Sequence, residues 1–232
     1  MMACRWCARF GGRASALPEP YRAALYYAPE AEDPLWARGC AWLGRNPETG
    51  EILASAYPAL TAAPRRYGFH ATLKAPIPLR HGLDAFVQDA TALAARTSMF
   101  DLAPLKVTAL GTFLALCYEA CPAMDALAAD CVVALDHHRL PEDADAQAKR
   151  AAGRSGKQTA YIARWGYPFV LDEFQFHMTI SESMENNPLA EVAAAFFAPV
   201  LALPRRVGSL AVFVEDTPGA PFRLTHRVKL AS

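Results

Sequence analysis

Apolar positions along the chain fall into short runs of period two and longer runs of period 3.6. Tyr21 to Pro29 mixes aromatic and aliphatic residues and predicts a first strand. Pro34 opens a short helix whose Leu35, Trp36, Cys40 and Leu43 share a face and which closes near Gly44. Arg66 to Ile77 reads as a strand stopped by Pro76 and Pro78. Leu83, Phe86, Val87, Ala90 and Leu93 lie at helical spacing. Phe100 to Leu110 and Thr112 to Ala120 predict a hairpin around Gly111. Cys121 to Leu140 is helical, with Pro122 near its start. A polar stretch from Pro141 turns helical again and breaks at Gly166 and Pro168. Asp172 to Ser181 is the next strand, and Asn187 or Pro188 opens a helix to Leu201. Two strands, Val207 to Asp216 and Pro221 to Leu230, close the chain around a Thr-Pro-Gly-Ala turn.

Strands and helices thus alternate with hairpins and short connections, which predicts an α+β fold with mostly antiparallel sheets. The order in the first half, a strand, a helix and a strand pair, roughly recurs in the second and suggests a duplication into two lobes. No shift in composition marks a linker. Residues 21–232 are expected to form one bilobed domain, with residues 1–20 a flexible N-terminal extension.

Two strand-like stretches break their own apolar pattern in the same way. Tyr67 to Ala75 reads YGFHATLKA, and Phe174 to Glu182 reads FQFHMTISE. In a strand, residues i and i+2 share a face. His70 and Thr72 therefore face one way while Phe69, Ala71 and Leu73 face a core. His177 and Thr179 do the same in front of Phe176, Met178 and Ile180. Two such strands related by a pseudo-twofold bring two imidazoles and two hydroxyls around one centre. That set suits in-line displacement at phosphorus: one imidazole takes a proton and the other gives one, both near neutral pH. The threonine hydroxyls hold the non-bridging oxygens. Lys74 continues the face after Thr72, and Ser181 occupies the matching place after Thr179. Tyr67, and also Tyr26 or Tyr27, Arg164 and Tyr167, are candidates to line the pocket.

Composition narrows the chemistry. Apolar residues make up 53% of the 232 and charged residues 20%, with a formal net charge of zero. A neutral chain lacks the basic footprint of a protein that grips long duplex nucleic acid. No apolar run approaches the roughly 20 residues that span a bilayer. Cys4 and Cys7 form a C-x-x-C without a second knuckle, so reduced thiols in a cytoplasmic protein are expected rather than a metal site. No cofactor is implied. The spacing G-x-x-x-x-G-K-[ST] of a phosphate loop is absent. His137 and His138 end a helix, where a cation complements the helix dipole. The basic segment Lys149 to Lys157 reads as a solvated face or a loop over the cleft.

The paired H-x-T-[LI] strands resemble the 2H phosphoesterase superfamily. More narrowly, YYAPEAEDPLWARGCAWLGR, PRRYGFHATLKAPI, YIARWGYPFVLDEFQFHMTIS and APFRLTHRV are similar to the DUF1045 group, whose members are described as phosphonate-metabolism proteins. The resemblance implies a bilobed fold, two pseudo-symmetric sheets flanked by helices, with the active site in the cleft between them. It implies His70 and His177 as catalytic residues, with Thr72 and Thr179 binding the phosphate. The activity implied is metal-independent hydrolysis of a ribose cyclic phosphate or a nucleoside 2′,3′-cyclic phosphate. Two readings from other classes stay open on the residues: a non-catalytic module holding RNA ends or a phosphorylated metabolite, and a metal hydrolase built on the two histidines and a carboxylate.

Overall fold

A computed structural model describes residues 19–232. The Cys4–Cys7 pair and most of the expected extension lie outside the described residues. Glu19, near the end of that extension, is docked, its carboxylate accepting from Leu83 N at 2.9 Å.

Three antiparallel sheets carry the fold. The largest sheet has the order β2 (Ala71–Ile77), β1 (Arg22–Tyr27), β8 (Ser209–Glu215) and β9 (Arg223–Lys229). A second sheet has the order β4 (Lys106–Leu110), β5 (Phe113–Cys117) and β6 (Met178–Thr179). A small ladder joins β3 (Phe100–Leu102) to β7 (Arg205–Val207). The helices are α1 (Pro34–Leu43), α2 (Ala62–Tyr67), α3 (Gly82–Ala94), α4 (Pro122–Ala134), α5 (Ala144–Ala151), α6 (Gly156–Trp165) and α7 (Ala190–Leu201). The expected α+β class with two mostly antiparallel sheets is what the chain adopts.

The two halves are interlocked. The first half supplies β2, α3 and the hairpin β4–β5; the second supplies β6, α7 and the hairpin β8–β9. Each sheet combines the hairpin of one half with the His-x-Thr strand of the other. β2 joins β8–β9 through β1, and α3 packs on β8 and β9. β6 joins β5, and α7 packs on β4. One continuous apolar core runs through both sheets, including Phe69 and Phe213 of one and Leu116 and Met178 of the other. β2 and β6 are edge strands of their sheets, and these edges approach one another.

Several boundaries differ from the sequence expectation. The strand expected from Arg66 begins only at Ala71, because Arg66 and Tyr67 complete α2. Gly68 separates the two elements at φ 86°, a conformation an L side chain rarely adopts, and a Cβ there would meet Pro47 at 2.8 Å. β2 runs through Pro76 to Ile77, which an edge strand tolerates because one side of its ladder is unpaired. Pro104 splits the expected Phe100–Leu110 strand into β3 and β4, which join different sheets. The hairpin at Gly111 forms as expected, with Leu110 opposite Phe113. The helix expected from Cys121 to Leu140 stops at Ala134 and is followed by a 3-10 turn, Asp136–His138.

Candidate active site

The alternation read from the sequence positions the first motif. Phe69, Ala71 and Leu73 are buried, while His70 and Thr72 are half-exposed on the opposite face. Phe69 anchors the motif from behind: its ring stacks on Phe197 of α7 at 6.2 Å and fills the space over Gly39 of α1. The second motif is anchored likewise. Met178 and Ile180 are fully buried, Ile180 O accepts from Trp42 Nε1 at 2.7 Å, and Phe176 stacks on Tyr118 at 4.6 Å. Only Met178 and Thr179 form a ladder, opposite Leu116 and Ala115, so the strand expected from Asp172 is mostly extended chain outside the sheet.

Both imidazoles are oriented by one device. His70 Nδ1 lies 2.9 Å from Gly68 O, and His177 Nδ1 lies 2.7 Å from Gln175 O. A carbonyl only accepts, so each Nδ1 carries the hydrogen and, in a neutral ring, each Nε2 keeps its lone pair. The anchoring carbonyl is two residues before the histidine in both cases. Thr72 Oγ1 lies 3.3 Å from His70 Nε2 and donates to it when the ring is neutral. Thr179 Oγ1 has no hydrogen-bond partner among the described residues.

The environments of the two histidines differ. His70 lies under Tyr26, with ring centroids 3.8 Å apart and planes at 21°. Burial, opposed by the bond to Gly68 and helped by the charge of nearby His177, pulls its pKa down to about 4. His70 is therefore neutral at pH 7. His177 is half-exposed, with its ring 5.9 Å from Phe113.

A cavity of about 430 Å³ opens between the two sheet edges. His70, Thr72, Lys74, Tyr67, Thr179 and Ser181 all line it. His177 does not; it stands beside Phe113, which does. His177 is nonetheless near enough for its charge to act on His70. Lys74 is buried: its Nζ donates to Val132 O at 3.2 Å and lies 3.7 Å from Asp136. Burial lowers its pKa to about 8, with Asp136 opposing. Ser181 lines the cavity with its hydroxyl committed elsewhere: Oγ donates to Glu182 O and accepts from Leu114 N and Asn187 Nδ2. The geometry thus gives Ser181 a structural task, fixing the chain after β6 to β5.

Of the further aromatic and basic candidates, Tyr26 and Tyr167 line the cavity. Tyr27 points to the opposite face and packs near Phe176, as alternation along β1 requires. Arg164 turns to Asp136. Arg22, Arg150, Phe113 and Trp165 also line the cavity and were not singled out in the sequence. Arg22 was within reach of the same reasoning, since it shares the face of Tyr26 two alternations earlier. Arg22 and Arg66 both pair with Glu215, a fully buried carboxylate that fixes them against the sheet.

Two antiparallel sheets flanked by helices, with a cavity between their edges, are the arrangement expected from the 2H phosphoesterase resemblance; the exchange of strands between the halves was not expected. The family described as "Protein of unknown function (DUF1045)" matches residues 72–223, and the chain belongs to it. Two curated proteins named ribose 1,5-bisphosphate phosphokinase PhnN are similar to it. The protein from Janthinobacterium sp. (strain Marseille) is 35% identical over 87% of this chain and 49% of its own length. The protein from Laribacter hongkongensis (strain HLHK9) is 35% identical over 90% of this chain and 52% of its own. The chain spans about half the length of these relatives. Among solved structures, E. coli LigT complexed with 3′-AMP has a TM-score of 0.47 at 14% identity, covering 92% of this chain and 100% of that one. LigT complexed with ATP has a TM-score of 0.45 at 13% identity, covering 93% and 100%. No helix among the described residues is long and apolar enough to cross a membrane.

Proposed function

We propose that the protein is a phosphodiesterase that opens a small cyclic phosphodiester by two-histidine acid–base catalysis, without a metal ion. The observation that carries this reading is the matched pair of imidazoles, each pinned through Nδ1 to the carbonyl two residues back and each presenting Nε2. His70, neutral at pH 7, is the base: its Nε2 takes the proton of the attacking water as the new P–O bond forms. His177, protonated, gives a proton to the leaving alkoxide as the ring P–O bond breaks. When substrate binds, Thr72 turns its hydroxyl from His70 Nε2 to a non-bridging oxygen, Thr179 donates to another, and Lys74 adds positive charge. The phosphorus sits at the mouth of the cavity, where His177 stands beside Phe113. Undiminished turnover after exhaustive chelation is expected, and its loss on chelation would assign the reaction to a metal hydrolase instead.

The preferred substrate is a ribose cyclic phosphate of phosphonate breakdown, with a nucleoside 2′,3′-cyclic phosphate as the alternative. The similar proteins are named for ribose 1,5-bisphosphate. Hydrolysis of a cyclic phosphate bridging the anomeric and neighbouring hydroxyls of ribose 5-phosphate yields a ribose bisphosphate. The kinase activity in those names is not transferred, since this chain spans half their length and carries no G-x-x-x-x-G-K-[ST] loop.

Turnover of a panel of cyclic phosphates tests the reading. His70→Gln and His177→Gln are each expected to lower kcat by about 10²–10⁴ while leaving the fold intact. Full activity in a doubly substituted protein overturns it. Tight binding of the panel without turnover assigns the site to a non-catalytic module for RNA ends or a phosphorylated metabolite.

A further inference from the structure

We propose that Asp89, His137 and His138 form a binding site for a divalent transition metal, zinc by its ligand chemistry, separate from the two-histidine cavity. The three residues come from two elements that the fold packs together, α3 and the 3-10 turn after α4. His137 Nε2 and His138 Nε2 lie 2.9 and 2.8 Å from the same oxygen, Asp89 Oδ2. All three ligand atoms lie within 4.8 Å of one another. Zinc with ligand bonds of about 2.0–2.1 Å separates its donors by a little over 3 Å, so each imidazole needs to move from the Asp89 oxygen by only a few tenths of an ångström.

Two imidazoles and one carboxylate are a borderline donor set that suits zinc over magnesium or calcium. His138 is 1% exposed, whereas Asp89 and His137 are about half-exposed, which leaves a path for the ion and room for a water as fourth ligand. His81 lies close by, its ring 5.7 Å from His138 and 6.2 Å from His137. Nδ1 of His138, on the side of the ring away from the cluster, is buried and has no hydrogen-bond partner among the described residues.

Without metal, each Nε2–H donates to the carboxylate. Metal binding places the lone pair of each Nε2 on the ion and moves the ring proton to Nδ1. The buried Nδ1–H of His138 then lacks an acceptor, and absent outer partners cost about 10–100-fold in affinity. The site is accordingly an exchangeable one, weaker by that factor than a site whose outer partners are complete.

The test uses the full chain stripped of metal and titrated with Co²⁺ followed by optical absorption, and with Zn²⁺ followed by calorimetry and thermal unfolding. The expected result is about one equivalent with the intense visible bands of tetrahedral cobalt and a rise in Tm with zinc. Asp89→Asn keeps a carbonyl acceptor for both imidazoles, and His137→Ala is surface-exposed, so both variants fold. Each is expected to weaken binding by tenfold or more. Unchanged affinity in both variants, or a thiolate-to-cobalt charge-transfer band, overturns the proposal and assigns the metal to cysteines such as Cys4 and Cys7. Absence of binding in both titrations overturns it as well and leaves the cluster a hydrogen-bonded clasp. None of these readouts depends on phosphodiester turnover.

Discussion

At the scale of the residue, two histidines with the same sequence context receive different environments. His70 is stacked beneath Tyr26 and neutral; His177 is open beside Phe113. The difference has a consequence for stability. The folded-state pKa of His70 is about 4, below the ordinary 6.5, so between these values the unfolded chain binds more protons. Stability from this group is fully present above pH 6.5 and is lost as pH falls toward 4, to a total on the order of 3 kcal/mol. Denaturant melts at pH 7 and pH 4.5 are expected to show a smaller acid loss for His70→Gln than for the wild type. An equal loss in both proteins refutes the burial argument. The same pKa places the acid limb of kcat/KM for the free enzyme near pH 4.

At the scale of the element, period two was enough to divide each motif into an inner and an outer face. Phe69, Ala71 and Leu73 against His70 and Thr72 could be read directly, as could Tyr27 against Tyr26 once β1 was placed. The ends of elements were less legible, because they depend on single backbone conformations. Nothing in the residue types of Arg66 and Tyr67 separates a last helical turn from a first strand residue. The positive φ of Gly68 decides it. Ser181 matched Lys74 in register, yet its hydroxyl is used by Leu114, Glu182 and Asn187, partners that only the tertiary fold supplies.

The contact behind His70 is also a matter of elements. Alanine in place of glycine inside a helix ordinarily stabilises by up to about 1 kcal/mol. At Gly39 of α1, however, a Cβ would stand 2.2 Å from the Phe69 ring. Gly39→Ala is expected to destabilise by about 1–3 kcal/mol and to lower turnover, because Phe69 moves with its neighbour His70. A raised Tm in this variant would show that the contact relaxes without strain.

At the scale of the whole molecule, the sequence carried the duplication but not the exchange between its halves. A repeat of strand, helix and strand pair suggests two self-contained lobes. In the structure each lobe borrows its His-x-Thr strand and helix from the other half. The exchange is set by which edges and faces bury the most apolar surface, and this information is spread over residues far apart in the chain. A cut in the exposed loop after Gly153 separates the halves without touching a strand. Fragments Met1–Gly153 and Arg154–Ser232 are each expected to lack cooperative unfolding, and their mixture to regain it together with activity. Cooperative melting of either fragment alone contradicts the interlock.

The interlock also sets a timetable for synthesis. β1 and β2 leave the ribosome early, but the strands that complete their sheet, β8 and β9, are among the last residues made. Until then β1, paired with β2 on one side, waits with its other edge open to wrong partners. The outer edge of β2 stays free even in the finished sheet, and Pro76 near its end and the buried charge of Lys74 make it a poor template for another chain.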